Sequence, residues 1–326
     1  MVDHVCRLMV LTLSFALGGC AIHPLPTDYA GVATTDIVRQ VRCEARFAVA
    51  NNIVQWLGGN NRSNVEKEIA KKFSVKPTEE VKWSTSDFPG FMEDTWSDRA
   101  IIEKFIKSAV AYDFAFDMAE TNNLGATFDF LGILKHTTGS AALMAGADRK
   151  RQNIRTFTIT DTFEGLLNIQ NPAEYCKPYV AAKNIIYPVT GTIGLGEMVF
   201  TFANLTLFSN LGGVEHKGPP TMTDKLVFTT TLSGSLTPKI IFAQAFRGAQ
   251  IADASLVVEA SRSDTHQVIV ALALPPPPDA KIEQPSTGTF ITSRGSQAEI
   301  IAAQAINQVI FRFELGRSAA LTSTTN

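Results

Sequence analysis

The spacing of hydrophobic positions changes along the chain. From Thr34, Ile37, Val41, Ala45 and Ala48 recur every three or four residues, with Arg39, Arg42 and Arg46 between them. That is the period of an amphipathic helix, expected to run to Leu57 and to stop at Gly58-Gly59-Asn60. Residues 61–72 read as a short, charged second helix, and residues 73–95, with Pro77 and Pro89, as irregular. Asp94 or Thr95 caps an expected third helix whose inward face carries Ile101, Ile102, Phe105 and Ala109. The period then falls to two. Tyr112, Phe114, Phe116 and Met118 point one way and Asp113, Ala115, Asp117 and Ala119 the other, as in a half-buried strand. Thr121-Asn122-Asn123-Leu124-Gly125 reads as a hairpin turn leading to a second strand through Phe128 and Phe130.

Residues 139–147 and 154–161 are weaker strand candidates, joined by the charged run Asp148, Arg149, Lys150 and Arg151. Residues 168–184 are loop-like, and Pro188 demotes the apolar run before it to an edge or entry segment. Leu195, Met198, Val199, Phe202 and Leu205 restore helical spacing. Segments 224–233, 239–246, 254–261 and 267–274 read as an antiparallel meander with turns at Gly234-Ser235, Gly248 and Arg262-Ser263-Asp264. A polyproline break follows at 275–278, and Ser296 with Glu299 forms a capping box for a last helix lined by Ile306, Val309, Ile310 and Phe313. The expected class is α+β, with an N-terminal helical segment, antiparallel sheet regions and a C-terminal amphipathic helix. Its main domain covers 34–274: helices in 34–111, mixed β/α in 112–210 and antiparallel β in 224–274. A Pro-rich linker (275–290) and a C-terminal helical segment (291–316) complete it.

The first residues are of a different kind. Arg7 precedes the apolar run Leu8-Met9-Val10-Leu11-Thr12-Leu13-Ser14-Phe15-Ala16-Leu17, which is too short to span a bilayer and ends in small residues, as a signal peptide does. Leu17-Gly18-Gly19-Cys20 resembles the lipobox of bacterial lipoproteins. The resemblance implies that residues 1–19 are a signal peptide and that Cys20 carries the lipid. It also implies that the protein is held at the outer membrane facing the periplasm, because Ala21 rather than Asp follows the cysteine. Residues 20–33, with Pro24, Pro26 and Gly31, read as a tether. The stretch Thr35-Asp36-Ile37-Val38-Arg39-Gln40-Val41-Arg42-Cys43-Glu44 resembles the opening helix of a family of uncharacterised bacterial envelope lipoproteins, a resemblance that implies no activity.

Composition narrows the function. The 29 Lys+Arg balance 31 Asp+Glu for a net charge of −2, which leaves no basic footprint for nucleic acid. Of the 4 Cys, Cys6 leaves with the signal and Cys20 takes lipid, so Cys43 and Cys176 remain as one disulfide or two buried thiols. No nucleophile elbow, HExxH, CxxC or P-loop is present. Gly191-Thr192-Ile193-Gly194-Leu195-Gly196 precedes a helix, but its spacing departs from the dinucleotide fingerprint and Val199 stands where the third glycine belongs. Arg262, Asp264 and His266 alternate, so a continuous strand would place them on one face, with Asp264 able to orient His266 as a base. Set against this is a polar hairpin turn, with no nucleophile beside it. No cofactor and no metal is expected.

Three functions compete. The first expectation is a membrane-anchored periplasmic lipoprotein serving as a binding or structural module for an envelope protein. The second is an oligomeric outer-membrane secretion or transport component with the hairpin 111–134 in the bilayer. The 21 Phe against 5 Tyr and 3 Trp favour a buried core over the interfacial aromatic girdle of such a barrel. Whether Phe114, Phe116, Phe128 and Phe130 face core or lipid separates the two. The third is an envelope hydrolase built on Asp264 and His266.

Overall fold

The computed structural model describes residues 24–60, 62–74, 86, 98–131, 140–177, 188–213, 218–236, 239–240, 250–276 and 295–323. Helices α1 (Thr27–Ala30), α2 (Thr34–Leu57), α3 (Asn64–Phe73) and α4 (Asp98–Ile106) lead into strands β1 (Ala109–Leu131) and β2 (Ser140–Thr162). Helices α5 (Phe163–Leu167), α6 (Pro172–Tyr175) and α7 (Leu195–Phe208) follow. Then come β3 (Thr221–Leu236), β4 (Lys239–Ile240), β5 (Gln250–Ala273) and α8 (Gln297–Ser323). The class is α+β, as the periods imply. Helix α2 has the expected bounds and ends where the Gly58 N–H donates to the Val54 carbonyl. The capping box at α8 is formed. The Ser296 N–H donates to Glu299 at 2.6 Å, and the Glu299 N–H donates to the Ser296 hydroxyl at 3.3 Å. The segment 20–33 is more than a tether, since it contains α1 and buries Pro24 and Pro26.

The strand order is β2-β1-β5-β3, with β4 pairing on β5. Partners run in opposite directions. Asp113 meets Thr158 while Glu120 meets Arg151, and Phe116 meets His266 while Glu120 meets Arg262. Sequence reading broke these strands into pieces. The turn expected at 121–125 is absent, so the hairpin 111–134 is one 23-residue strand on its way out, ending at Leu131. Likewise 139–147 and 154–161 are one strand, as are 254–261 and 267–274. Gly234-Ser235 lies inside β3. The physical reason is phase. Even positions stay on one face from Phe114 through Glu120 to Leu124, and from Val258 through Arg262 to Val268, whereas a turn would reset the alternation. The linker 277–290, the turn at Gly248 and most of 73–95 lie outside the described residues.

The chain divides into two units. The larger is Tyr29–Asp117, Ile154–Thr230 and Asp264–Asn326; the smaller is Met1–Asp28, Met118–Asn153 and Thr231–Ser263. The larger unit has three layers. On one face of the sheet, Ala109, Ala111, Ile269, Ala271 and Ala273 pack against Ala298, Ile301, Ala302, Ala305 and Ile306 of α8. Small side chains on both surfaces let helix and sheet approach closely. On the other face, Tyr112, Phe114, Phe116, Val268 and Val270 are fully buried. Helix α2 lies on this side, since its Arg42 donates to Asp161 of β2, which shares the face of Tyr112. Phe114 stacks on Phe157 at 5.1 Å, and each such buried ring contributes about 1.5–3 kcal/mol. Phe114 and Phe116 therefore belong to a core; the side chains of Phe128 and Phe130 lie outside the described residues.

Candidate functional site

The larger unit is tied together by polar groups that serve the fold. Cys43 of α2 and Cys176, just after α6, form a disulfide with Cα atoms 5.7 Å apart. Beside it, Arg42 grips Asp161 with two bonds, Nε to Oδ2 at 2.8 Å and Nη2 to Oδ1 at 2.6 Å, and donates to the Tyr175 hydroxyl at 2.7 Å. The hydrogen bond to Asp161 holds the Arg42 guanidinium above its ordinary pKa. Glu44 answers the glycine-rich loop. Its carboxylate accepts the N–H groups of Ile193, Gly194 and Leu195 at 2.8, 2.8 and 2.9 Å, at the start of α7. Gly194, at φ 95°, turns the chain so that these N–H groups converge. The anion site of a helix N-terminus is thus filled by the chain's own carboxylate, where a dinucleotide loop would hold a phosphate.

An apolar cavity of about 420 Å³ lies among α2, α4 and α7, lined by Ile53, Trp56, Ile102, Phe105, Val199 and Phe200 among others. Arg262, Asp264 and His266 do alternate on one continuous strand, but in different surroundings. Asp264 and His266 are 1% and 2% exposed, in the larger unit, where the His266 ring meets the edge of Phe116 at 4.9 Å. Arg262 belongs to the smaller unit, where it donates to Glu120 at 3.0 Å and to the Leu25 carbonyl at 2.7 Å. Cys20 lies outside the described residues. Among the described residues, no three of His, Cys, Asp or Glu gather as metal ligands, and no helix is long and apolar enough to cross a membrane.

The smaller unit carries a feature that sequence reading did not foresee. It contains parts of β1, β2, β3 and β5, and among its described residues no helix longer than the first turn of α1. Across these strands runs a row of charge. Glu120 on β1 accepts from Arg262 on β5 at 3.0 Å and from Arg151 on β2 at 2.8 Å. Pro24 and Leu25 are held at this row, Pro24 by the Asn153 side-chain amide at 3.0 Å and Leu25 by Arg262. Register and parity assign the rest. The face of Glu120 continues through Asn122 and Leu124 on β1, Arg149 and Ala147 on β2, Leu232, Gly234 and Leu236 on β3, and Ala260 and Val258 on β5. All but Asn122 and Arg149 are apolar, and Leu124, Leu232, Leu236 and Val258 are 44%, 36%, 72% and 36% exposed. The opposite face carries Thr121, Asn123, Asp148, Lys150, Ser233, Ser235, Glu259 and Ser261, with Met144 and Val257 as departures. A shallow polar depression there is lined by Thr121, Asn123, Ser233, Ser235 and Glu259. The missed signal was parity: the exposed apolar residues Leu124, Leu232, Leu236 and Val258 all fall on even positions, with Glu120, Asn122 and Arg262 as polar members of the same set.

The family described as uncharacterised protein y4kA matches residues 23–319. The uncharacterised protein y4kA of Sinorhizobium fredii is similar to this chain, 33% identical over 283 residues, covering 82% of each. The disulfide, the helix α2 that bears it and all four long strands fall within the matched span, and the chain belongs to the y4kA family.

Proposed function

We propose that the chain is a lipid-anchored subunit of an oligomeric β-barrel in the outer membrane, with the sheet of the smaller unit as its bilayer-embedded part. One observation carries this reading: among the described residues of the four strands, exposed Leu124, Leu232, Leu236 and Val258 lie on one face and exposed Ser233, Ser235, Glu259 and Ser261 on the other. Alternation of this kind serves lipid on one side and a water-filled lumen on the other. From Leu124 to the end of β1 the backbone rises about 24 Å at roughly 3.4 Å per residue. That approaches the ~25 Å apolar band of transmembrane barrels. The bilayer segment proposed is therefore not the hairpin 111–134, whose first half is core, but the portions of all four strands beyond the row of Asn122 and Arg149. Four strands are too few to close a barrel, and a bilayer admits no open sheet edge, so several copies are required.

The test is reconstitution of the full lipidated protein into planar bilayers of outer-membrane phospholipid. Stepwise, ohmic conductance is expected. A protein that stays monomeric without detergent and conducts nothing would sink this reading, leaving a tethered module whose apolar face docks an envelope protein.

A further inference from the structure

The barrel reading leaves open how the copies join, and on that reading the sheet itself answers. Strands β2 and β3 end the order β2-β1-β5-β3, so among the described residues neither has a neighbouring strand on its outer side. Since every adjacent pair is antiparallel, β2 and β3 also run opposite to each other. We infer that the partner at both edges is a second copy of this chain, joined head to tail, with β3 of one copy pairing antiparallel with β2 of the next.

The alternatives fail on symmetry. Pairing β2 with β2, or β3 with β3, requires a two-fold axis. If that axis is perpendicular to the sheet, it reverses the strands and puts the rows of Glu120, Arg151 and Arg262 of the two copies at opposite surfaces of the bilayer. If it runs along the strands, it exchanges the face of Leu124 and Leu236 for that of Ser233 and Ser235, turning polar residues to lipid. Only the β3-to-β2 junction keeps one apolar surface, one polar lumen and one level for the charged row. The junction is heterologous and must close into a ring, with a strand total that is a multiple of four. Eight strands are filled by their own side chains, and about sixteen are needed for an aqueous channel. A conducting ring therefore holds about four copies or more.

Cysteine crosslinking in membranes tests this. Ser233→Cys or Ser235→Cys on β3 is combined with Gly146→Cys, Asp148→Cys or Lys150→Cys on β2, all exposed positions of the polar face. Cys43 and Cys176 are bonded to each other, so the introduced thiols are the ones that react. On oxidation, at least one combination should give a ladder of multimers, while each single variant stays monomeric. Leu236→Cys combined with Gly146→Cys, on opposite faces, should give no ladder. Dimers from a single variant would reveal two-fold pairing and overturn the inference. So would the lack of any ladder in membranes that still conduct, an outcome that leaves the barrel intact. If the parent protein does not conduct, the barrel reading falls and the junction with it.

Discussion

Glu44 shows how one residue can settle a motif. Its carboxylate satisfies three converging N–H groups, so Glu44→Gln leaves a single oxygen for three donors and turns an amide N–H toward them. That substitution should cost about 1–3 kcal/mol in urea unfolding, the range for an unsatisfied buried donor. It should also change the pH dependence. Burial pushes the Glu44 carboxyl above its ordinary 4.5, and the N–H groups of Ile193, Leu195 and Gly194 pull only partway back. The folded chain therefore holds this proton more tightly than the unfolded chain does. The stability it contributes is full on the acid side and is lost as pH rises from the ordinary value through the folded one. Comparing unfolding free energies between about pH 4 and pH 7 should show the wild type losing more stability than Glu44→Gln over that rise; equal slopes would contradict it. Glu44 was legible only as an oddity, an acid on the inward stripe of Ile37, Val41 and Ala48. Its partners lie some 150 residues downstream, beyond any local pattern. The disulfide was half legible for the opposite reason: composition left two cysteines, but only the fold brings α2 beside the end of α6.

Among the elements, helices were read well and strands poorly, for a physical reason. The bounds of α2 are written in local chemistry, an apolar stripe and a terminal glycine. So are the capping box of α8 and the stripe of α7. The long strands carry turn-forming residues, Thr121-Asn122-Asn123 and Arg262-Ser263-Asp264, in their interiors. In an isolated peptide these favour turns; here Thr121 and Asn123 occupy a polar face and Arg262 an ion row, and pairing with neighbours overrides local preference. Parity across the interruption held the missing information. It also separates two surfaces that a substitution can tell apart. Leu236→Arg places a charge on the apolar face at the level of Leu124, the edge of the proposed bilayer band, and should weaken membrane insertion, since a cation near the interface costs up to about 1 kcal/mol per copy. Ser235→Arg, one residue away on the polar face, should insert normally and shift ion selectivity toward anions. Sedimentation with membranes and reversal potentials in a salt gradient measure the two effects; identical behaviour of both variants would remove the case for a lipid-facing side.

At the scale of the whole molecule, a disulfide links segments distant in sequence. The disulfide closes a loop of 133 residues and in the chain-entropy model is worth on the order of 4–5 kcal/mol. Its thiols should resist alkylation in the unfolded, unreduced protein and react after reduction; reaction before reduction would show them free. Cys20→Ser should abolish fatty-acid labelling, and unchanged labelling would reject lipid at that residue. If Cys20 does carry the lipid, the anchoring of Pro24 and Leu25 at the charged row acquires a mechanical meaning. Between Cys20 and Pro24 the chain can stretch no more than about 14 Å. The acyl chains and the row of Glu120 are then bound to the same leaflet by a leash too short to reach the other one. The leash acts as a depth gauge, setting where the sheet meets the water before any strand has entered the membrane. A long Gly/Ser insertion after Ala21 would keep the lipid and lose the gauge, so labelling would persist while insertion slowed.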